Sequence, residues 1–357
     1  MTDTGEPCIL YGELYTKYKS EIISDIFSKT DIDTRKLVKS KANDVIIPCS
    51  GETAVDIATA RCVPYDNILL GGDLNIIRLY DCDGSFMSYQ LNGKRKYDIA
   101  KVAQGVSVVH LYGDHLKGVK TYNPCLEEQK KIVRLLSLLD ERIATQNKII
   151  EDLKKLKCAI IEKHYRQAKL HKYTICDLGV PFSVGSLSKE DLSEEGYECI
   201  LYGELFTTYG CVINEVKSHT NKIANTTLSQ KGDLLFPSST TVDAVSLISP
   251  SVIDIPNVIL GGDMFGIHID KKFNAYYLSY YINLIARKKL AIYAKGSTII
   301  HLHYKDIAKA QLLLPDLCEQ DKIAKCMMAE DAKIKVEEQL LTILEKQKQY
   351  LLRQMFI

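Results

Sequence analysis

Two pairs of residues that could do chemistry recur at matched places in the two halves of this 357-residue chain. Asp73 and Asp263 each follow a Gly-Gly pair, and His110 and His301 each follow a glycine by five residues. An imidazole can act as a general base and an aspartate can bind a metal, so a catalytic or metal site is one interpretation. The other, which we favour, is a turn aspartate bonded to its own backbone and a histidine hydrogen-bonded at a strand end.

Familiar catalytic motifs are missing from the sequence, which contains no GxxxxGK[ST], no GxGxxG after a strand, no HExxH and no GxSxG. The tetrapeptide Asn123-Pro124-Cys125-Leu126 only distantly resembles an amino-methyltransferase motif, and LLPD stands at its counterpart around Pro315. The 11 cysteines include no CxxC pair, which argues against a zinc site or a disulfide framework and favours reduced thiols. We therefore predict a non-catalytic chain with no metal site and no cofactor of its own.

The composition is that of an ordinary folded protein, with 46% hydrophobic residues, 25% charged residues and a net charge of +1. No apolar run reaches the length of about 18 residues that a membrane helix needs, and the N-terminus lacks the pattern of a secretory signal. We therefore expect a cytoplasmic protein without a membrane partner. Because the net charge is nearly neutral, any contact with DNA must come from local basic clusters.

The elements that must position these residues are duplicated along the chain. CILYGEL occurs at 8–14 and again at 199–205, NILLGGD at 67–73 resembles NVILGGD at 257–263, and AQGVSVVHL at 103–111 resembles AKGSTIIHL at 294–302. The order of these landmarks is kept, and their spacing is 190 or 191 residues, so the chain is two copies of one domain plan. The identical CILYGEL segments, with Glu13 and Glu204, predict framework shared by both copies.

Within each copy the patterns predict an α+β domain followed by a long helix. Short apolar runs at 45–50 and 234–239 and around the Gly-Gly turns predict strands, and 273–294 predicts a helix with tyrosines on one face. Residues 126–165 and 316–357 carry apolar residues at heptad spacing, so the two helices are expected to pair with each other. The residues predicted to form the seam of this helix pair are Ile132, Leu136, Leu139, Ile143, Ile150, Leu153, Ile323, Ile334, Leu341 and Leu344.

Basic clusters at 94–96 and 287–289 occupy matched places before the two glycine loops. They are either a solvated helix face or a surface that binds phosphate. The loops at 50–53 and 238–241 follow aligned prolines but differ in sequence, as expected of surfaces that read different targets. The residues predicted to contact DNA are Lys17, Tyr18, Ser50, Glu52, Thr53, Lys94, Arg95, Lys96, Ser107, Thr208, Tyr209, Ser239, Thr240, Thr241, Arg287, Lys288, Lys289 and Ser297.

These segments in this order resemble the DNA specificity subunits of type I restriction–modification systems. The resemblance rests on the two YGEL segments, GDLLFPSSTT, the GGD turns, KGSTIIHLHYKDI, and the helix entries PCLEEQKKI and PDLCEQDKI, and it covers essentially the whole chain. It implies target recognition domains at 1–125 and 166–315, and spacer helices at 126–165 and 316–357 that pair as an antiparallel coiled coil. Each recognition domain is then expected to read one half of a bipartite target in double-stranded DNA, with the helices fixing the gap.

The resemblance also implies partners for the chain. In this family the helices bind two adenine methyltransferase subunits, which carry S-adenosylmethionine and flip the target base, and ATP-driven restriction subunits are separate chains. The assembled complex would be an adenine-specific DNA methyltransferase and an ATP-dependent, Mg²⁺-requiring endonuclease, to which this chain contributes no catalytic group. The family's first domain usually begins with a segment like residues 172–198, so the first domain here is expected to be shortened at its start.

Other functions remain open at this point. The chain could be an interaction scaffold that binds protein through its paired helices without binding DNA, or an inactive or partial form of a specificity subunit. The basic clusters before both glycine loops favour the DNA-binding function. A nuclease or methyltransferase with an unrecognised site is a third interpretation, and duplication without a shared set of catalytic residues argues against it.

Overall fold

A computed structural model describes residues 4–33, 35 and 37–356 and divides the chain into two units. The first unit holds the described residues up to Ile149 together with those from Glu337 onward, and the second runs from Ile150 to Val336. Each unit therefore combines a globular part with one stretch of each of two long helices.

The first unit begins with short strands and helices that alternate along the chain. Its strands are β1 Glu6–Ile9, β2 Ser28–Thr30, β3 Val38–Lys39, β4 Asp44–Pro48, β5 Ser50–Gly51, β6 Arg61–Val63, β7 Leu69–Leu70, β8 Leu74–Ile77 and β9 Val109–His110. Its helices are α1 Glu13–Thr16, α2 Ala54–Ile57, α3 Gly84–Asn92, α4 Lys96–Val102, α5 Gly113–Leu116 and the start of α6 Leu126–Gln167.

Three small sheets form the globular part of the first unit. Their strand orders are β2-β1-β7-β3, β6-β4-β8 and β5-β9. The β4 strand is buried along its whole length and pairs antiparallel with β6 and with β8. Buried side chains of β4 and α3, including Ile47, Phe86 and Tyr89, pack with Leu136 of α6 in one core.

The second unit repeats this plan with additional strands. Its strands are β10 His171–Thr174, β11 Gly179–Ser183, β12 Leu192–Ser193, β13 Tyr197–Leu201, β14 Val212–Ile213, β15 Ser218–Thr220, β16 Thr227–Leu228, β17 Asp233–Pro237, β18 Ser239–Thr240, β19 Ser251–Ile253, β20 Ile259–Gly261, β21 Met264–Ile269, β22 Ile300–His301 and β23 Gln311–Leu314. Its helices are α7 Glu204–Thr207, α8 Ala244–Leu247, α9 Ala275–Tyr281, α10 Arg287–Ala291, α11 Tyr304–Ile307 and the start of α12 Leu317–Gln354.

Two five-stranded sheets dominate the second unit, with the orders β11-β21-β17-β19-β14 and β12-β15-β13-β20-β16. The two-stranded pairs β10-β23 and β18-β22 complete it. The helix predicted over 273–294 is interrupted by a π turn at Ile282–Ala286 between α9 and α10. Its predicted tyrosine face is confirmed, because Tyr277, Tyr280 and Tyr281 are all buried.

One difference between the copies lies at the edge of a sheet. In the second unit β21 has β17 on one side and β11 on the other. Its counterpart β8 pairs only with β4 among the described residues of the first unit. That sheet has three strands in place of five, since the pairing of β14 with β19 is also reduced in the first unit to a single bridge between Ile22 and Cys62.

The α+β fold and the two long helices are confirmed, and α6 and α12 run in opposite directions within each unit. In the first unit Gln146 donates a hydrogen bond from its amide nitrogen to a carboxylate oxygen of Glu337, at 2.6 Å. Leu136 there shares a core with Leu352 and Phe356. In the second unit Ile161 packs with residues that include Ile323 and Met327. The division of the chain into two recognition domains stays a prediction.

The ten residues predicted for the seam of the helix pair all have side chains that are buried or half-buried. Ile161 and Leu352 are almost fully buried, whereas the heptad pattern favours their neighbours Ile160 and Leu351. The two residues that follow Leu153 and Leu344 by four positions, Lys157 and Lys348, also turn toward the protein, with side chains 13% and 10% exposed.

The Glu-Gln dipeptide that opens each long helix ties that helix to the globular part. In the first unit the amide oxygen of Gln129 accepts a hydrogen bond from the backbone of Asp83, the N-cap residue of α3, at 2.8 Å. Its amide nitrogen donates to the Pro124 carbonyl, also at 2.8 Å. Gln320 makes the same two bonds, from the Asn274 backbone and to the Pro315 carbonyl.

Replacement of either Gln129 or Gln320 by alanine should lower the free energy of unfolding by about 1–3 kcal/mol. Each glutamine is 1% exposed, so its removal leaves a buried backbone N–H and a buried backbone carbonyl without their hydrogen bonds. Urea denaturation followed by circular dichroism measures this loss. The exposed neighbour Glu128→Ala is the control and should change stability by less than about 0.5 kcal/mol. Equal stability of Gln129→Ala and Glu128→Ala would contradict the proposed tie.

Candidate nucleic-acid interface

Three loops meet at one end of each unit, held by the same backbone hydrogen bonds. In the first unit the Cys49 N–H donates to the Asp73 carbonyl and the Leu111 N–H to the Cys49 carbonyl, both at 2.8 Å. In the second, the Ser238 N–H donates to the Asp263 carbonyl at 2.7 Å and the Leu302 N–H to the Ser238 carbonyl at 2.8 Å. We call these the first loop cluster (50–53, Asp73 and 104–110) and the second loop cluster (239–243, Asp263 and 295–301).

The structure corrects the alignment of the two divergent loops by one residue. Ser50 pairs with His110 and Ser239 pairs with His301, so Ser50 corresponds to Ser239 and the predicted match with Ser238 is wrong. The helices after the loops are capped by Thr53 and Asp243, whose side chains accept from the backbone N–H groups three residues on. The second loop is therefore one residue longer, which changes its backbone as well as its side chains.

The glycine loops of both clusters share a backbone that requires glycine. Gly105 and Gly296 have φ angles of +128° and +123°, and a Cβ atom would lie 2.1 Å from the Val108 carbonyl oxygen and 2.0 Å from the Ile299 carbonyl oxygen. Bridges between Gln104 and His110 and between Lys295 and His301 close the loops. The predicted contact residues Ser107 and Ser297 are exposed near the tips of these loops.

A cleft of about 730 Å³ opens beside the second loop cluster. Residues from five separate segments line it, including Tyr202, Thr240, Asp263, Arg287 and His301. Of the residues predicted to contact DNA, Ser239, Thr240, Thr241 and Arg287 line this cleft, and Ser239 is nearly buried, at 8% exposure. The structure thus brings these four together with Asp263 and His301.

The basic residues of the second copy have different roles. The Arg287 guanidinium donates to the carbonyls of Val245 at 2.7 Å and Ser246 at 3.3 Å, so it holds the end of α8 in place. Lys288 and Lys289 are exposed and lie outside the lining of the cleft. Of the three basic residues predicted here, Lys288 and Lys289 have ammonium groups accessible to a phosphate, whereas Arg287 combines a structural role with its place in the cleft.

The basic cluster of the first copy is also mixed. Lys94 is exposed, and Arg95 forms an ion pair with Asp98 at 3.4 Å. Lys96 is half-buried, and burial, followed by the nearby Arg61 charge, lowers the pKa of its ammonium group. Lys94 is thus the most accessible of the three for a phosphate.

The residues that follow YGEL are divided between surface and core. Lys17 and Thr208 are exposed, and the Lys17 ammonium lies 2.7 Å from the Glu13 carboxylate. Tyr18 is 5% exposed and packs against Phe27, and burial raises its pKa to about 12. Because its ring belongs to the core, Tyr18 is not placed to contact DNA as predicted. Tyr209 is half-buried, and its hydroxyl accepts from the Lys217 backbone at 3.1 Å.

The paired aspartates and histidines that the sequence singles out lie within the two loop clusters. The Ser50 hydroxyl donates to the Asp73 carboxylate. The Asp263 carboxylate lies 4.0 Å from Nδ1 of His301, and the His301 ring stacks on His303 with 6.1 Å between centroids. Among the hydrogen bonds of the described residues, neither aspartate side chain bonds to its own backbone, so the predicted aspartate turn is wrong. The predicted position of the histidines is confirmed, because His110 and His301 end the strands β9 and β22 and their backbone N–H groups donate to Gln104 and Lys295.

The glutamates of the YGEL segments are framework, as predicted. Glu204 accepts a hydrogen bond from the Leu201 backbone at 2.7 Å and from the Ser218 hydroxyl at 2.6 Å. Glu13 accepts from the Leu10 backbone at 3.1 Å. Burial opposes ionisation of Glu13, but hydrogen bonds from Lys17 and Ser28 outweigh it and lower the pKa of the Glu13 carboxyl.

Other kinds of site are not formed by the part of the chain that the structure describes. No three His, Cys, Asp or Glu side chains within residues 4–33, 35 and 37–356 are grouped to hold a metal ion. None of the described helices combines the length and apolarity needed to cross a membrane. All 11 cysteines lie within this range and carry free thiols.

Comparison with known proteins points to one family. Residues 175–346 match the model of the type I restriction modification DNA specificity domain. A Methanocaldococcus jannaschii protein, provisionally named the type I restriction enzyme MjaX specificity subunit, is 27% identical over 252 residues, 65% of this chain and 57% of that protein. The MjaVIII specificity subunit from the same organism is 28% identical over 155 residues, 43% of this chain and 34% of that protein. The matches thus span about half or less of the length of these relatives.

Solved structures resemble the whole chain in fold. The type I restriction-modification S subunit from M. genitalium has a TM-score of 0.59 and 18% identity, over 99% of this chain and 92% of that one. A chain from a study of complex assembly and conformational transition of the type I R-M system has a TM-score of 0.58 and 16% identity. It covers 88% of this chain and 81% of that chain.

Proposed function

We propose that this chain, whose residues 175–346 match the model of the type I restriction modification DNA specificity domain, is a non-catalytic subunit that reads a bipartite target in double-stranded DNA. One observation carries this proposal: two loop clusters have the same backbone ties but carry different side chains. Duplicated scaffolds with divergent exposed loops suit two readers of different sequences, because base edges are told apart by side-chain donors and acceptors.

The long helices would set the gap between half-sites and bind partner subunits. Outside the seam, each helix exposes apolar side chains, which favour protein contacts over solvent. Those that are 48–61% exposed are Leu135, Leu138, Leu156, Val336 and Ile343. We propose that two methyltransferase subunits dock here, and that restriction subunits join the complex. S-adenosylmethionine, ATP and Mg²⁺ would be bound by those partners.

The test of the proposal is the methylome of cells that express this chain with an adenine methyltransferase subunit of the same system. Single-molecule sequencing should reveal methyladenine in a bipartite motif with a fixed gap. The motif should disappear from cells that express the methyltransferase subunit alone. Methylation of the same motif without this chain would reject its role as the sequence reader.

A loop exchange tests whether the clusters read independently. Replacing residues 239–243 by the shorter loop at 50–53 should change or abolish the second half-site, because residues 239–242 line the cleft of the second unit. The first half-site should remain, since its loop cluster is untouched. The measurement is the methylated motif, and the control variant keeps the loop but replaces the exposed Glu194 by glutamine. Equal damage to both half-sites would contradict independent reading.

A further inference from the structure

Asp263 occupies a central position in the second loop cluster. Its carboxylate side chain is 45% exposed and lines the 730 Å³ cleft described above. It also lines a depression of about 540 Å³ toward Lys295, His303 and Lys305, and another of about 520 Å³ toward Ser188 and Lys222. Three concave surfaces of the second unit therefore meet at this one acidic side chain.

The charged groups around Asp263 are mostly basic and stand at the margins of these depressions. Lys222 is bonded to Asp191 at 3.0 Å, and Lys295 to Asp306 at 2.5 Å, so both are held in place. Lys305 is exposed, and Arg287 is fixed by its bonds to α8. A nucleic acid whose phosphates lie along these basic groups would turn its bases toward the Asp263 carboxylate, because phosphate and carboxylate repel each other.

The first unit supplies a contrast at the same position. There the Asp73 carboxylate accepts a hydrogen bond from the Ser50 hydroxyl. In the second unit Ser239, the counterpart of Ser50, makes no such bond, and the nearest basic group is His301 Nδ1 at 4.0 Å. Among the described residues, no hydrogen bond to the Asp263 carboxylate is formed. Of the two aspartates, Asp263 is thus the one whose carboxylate accepts no hydrogen bond within the described residues, with His301 as its neighbour at 4.0 Å.

We infer that Asp263 is a specificity-determining residue that accepts a hydrogen bond from the exocyclic amino group of one base, cytosine N4 or adenine N6, in the target of the second unit. The inference rests on the proposed DNA-reading function. An ionised carboxylate has only acceptors, so it selects a base edge that presents an amino donor and rejects one that presents an acceptor. In the major groove only cytosine and adenine present such a group.

The experiment compares Asp263→Asn with the unchanged chain in the complex with its methyltransferase subunits. The bipartite motif is first found by methyladenine sequencing, and duplexes carrying each base pair at each position of the second half-site are then methylated in competition. Asp263→Asn should change discrimination at one position by about 10–100-fold. It should fall where the motif has cytosine, because an amide adds a donor beside the acceptor, and rise where the motif has adenine, because an amide can bond to both N6 and N7. The identity of that base decides between the two amino groups.

The outcomes separate this inference from the proposed function. If the unchanged chain directs no bipartite methylation, the proposed function fails. If it does, but Asp263→Asn leaves discrimination intact at every position, the inference about Asp263 is overturned. If methylation instead falls equally for all duplexes while the urea midpoint stays normal, the inference is also overturned. Loss of a group that reads a base should change the preference among base pairs at one position. If Asp263→Asn lowers the urea midpoint, the discrimination of Asp263→Ser is compared with that of the unchanged chain instead. Glu194→Gln, which removes an exposed negative charge from the same unit, is the control.

Discussion

Replacing Lys348 with methionine should destabilise the first unit by about 3–5 kcal/mol, the loss expected when a buried ion pair loses one partner. The Lys348 ammonium lies 2.5 Å from both the Glu21 and the Asp140 carboxylates, and all three side chains are at most 12% exposed. The Tyr89 hydroxyl also donates to Asp140, at 2.7 Å. Methionine would leave two carboxylates buried together, with the nearby Arg61 and Lys96 charges offsetting them only in part.

The second unit provides a matched control for this change. Lys157 and Asp331 form the equivalent ion pair, and the Tyr280 hydroxyl donates to Asp331 at 2.6 Å. Here, however, the place of Glu21 is taken by Cys211, as the matching backbone bonds to Cys62 and Val252 show. Asp331 is also 37% exposed, so solvent can reach it. Lys157→Met should therefore cost clearly less than Lys348→Met.

Urea denaturation of both variants, with hydrogen exchange to locate the loss, measures the difference. A double variant, Glu21→Cys with Lys348→Met, should recover part of the stability because one buried carboxylate is removed with its partner. If Lys348→Met and Lys157→Met lower the free energy of unfolding equally, the Glu21 carboxylate adds nothing to the effect. The buried three-residue ion pair would then not explain the loss.

The pH dependence of the Lys348 contribution has a definite sign. Burial alone would lower the pKa of its ammonium group, but Glu21 and Asp140 outweigh burial and raise that pKa above the usual value. A raised pKa means that the stabilisation is fully present below the pKa of an unfolded lysine, about 10.4, and is lost as pH rises through the folded value. On the alkaline side, the difference in unfolding free energy between the unchanged chain and Lys348→Met should therefore narrow only in strongly alkaline solution.

These lysines show what heptad spacing could and could not predict. Apolar periodicity placed the long helices to within a few residues, because burying an apolar stripe is what stabilises such helices. The signal for Lys157 and Lys348 was present as a seven-residue gap in the seam, from Leu153 to Ile160 and from Leu344 to Leu351. A charged residue in such a gap usually points to solvent, and the carboxylates that bury these two come from distant segments that no local pattern reveals.

The candidate site was predictable in place but not in detail. Comparison of the two copies locates the divergent loops, because the framework segments are nearly identical in sequence and the loops are not. It could not reveal that Tyr18 is a core residue, since an aromatic beside a lysine fits a surface and a core pattern equally well. For Asp263 the sequence offers a turn residue or a metal ligand but not its approach to His301, because that approach depends on strands that are far apart in sequence.

Adding residues to the helices at the boundary between the units should lengthen the gap in the methylated motif. The boundary falls after Ile149 in α6 and after Val336 in α12, so each helix contributes one stretch to each unit. Seven residues inserted near 148 in α6, matched by seven at the boundary in α12, keep the seam in phase and add about 10.5 Å of helix. At about 3.4 Å per base pair, the gap should grow by about three base pairs.

Both half-sites should stay unchanged by this insertion, because the loop clusters and their backbone ties lie outside the altered stretch. Methyladenine sequencing reports the gap and the half-sites in one measurement. The matched control replaces seven exposed helix residues by alanine without changing length, and it should leave the gap as it was. A longer helix pair with an unchanged gap would show that the spacing is set elsewhere, and it would separate the role of the helices from that of the recognition loops.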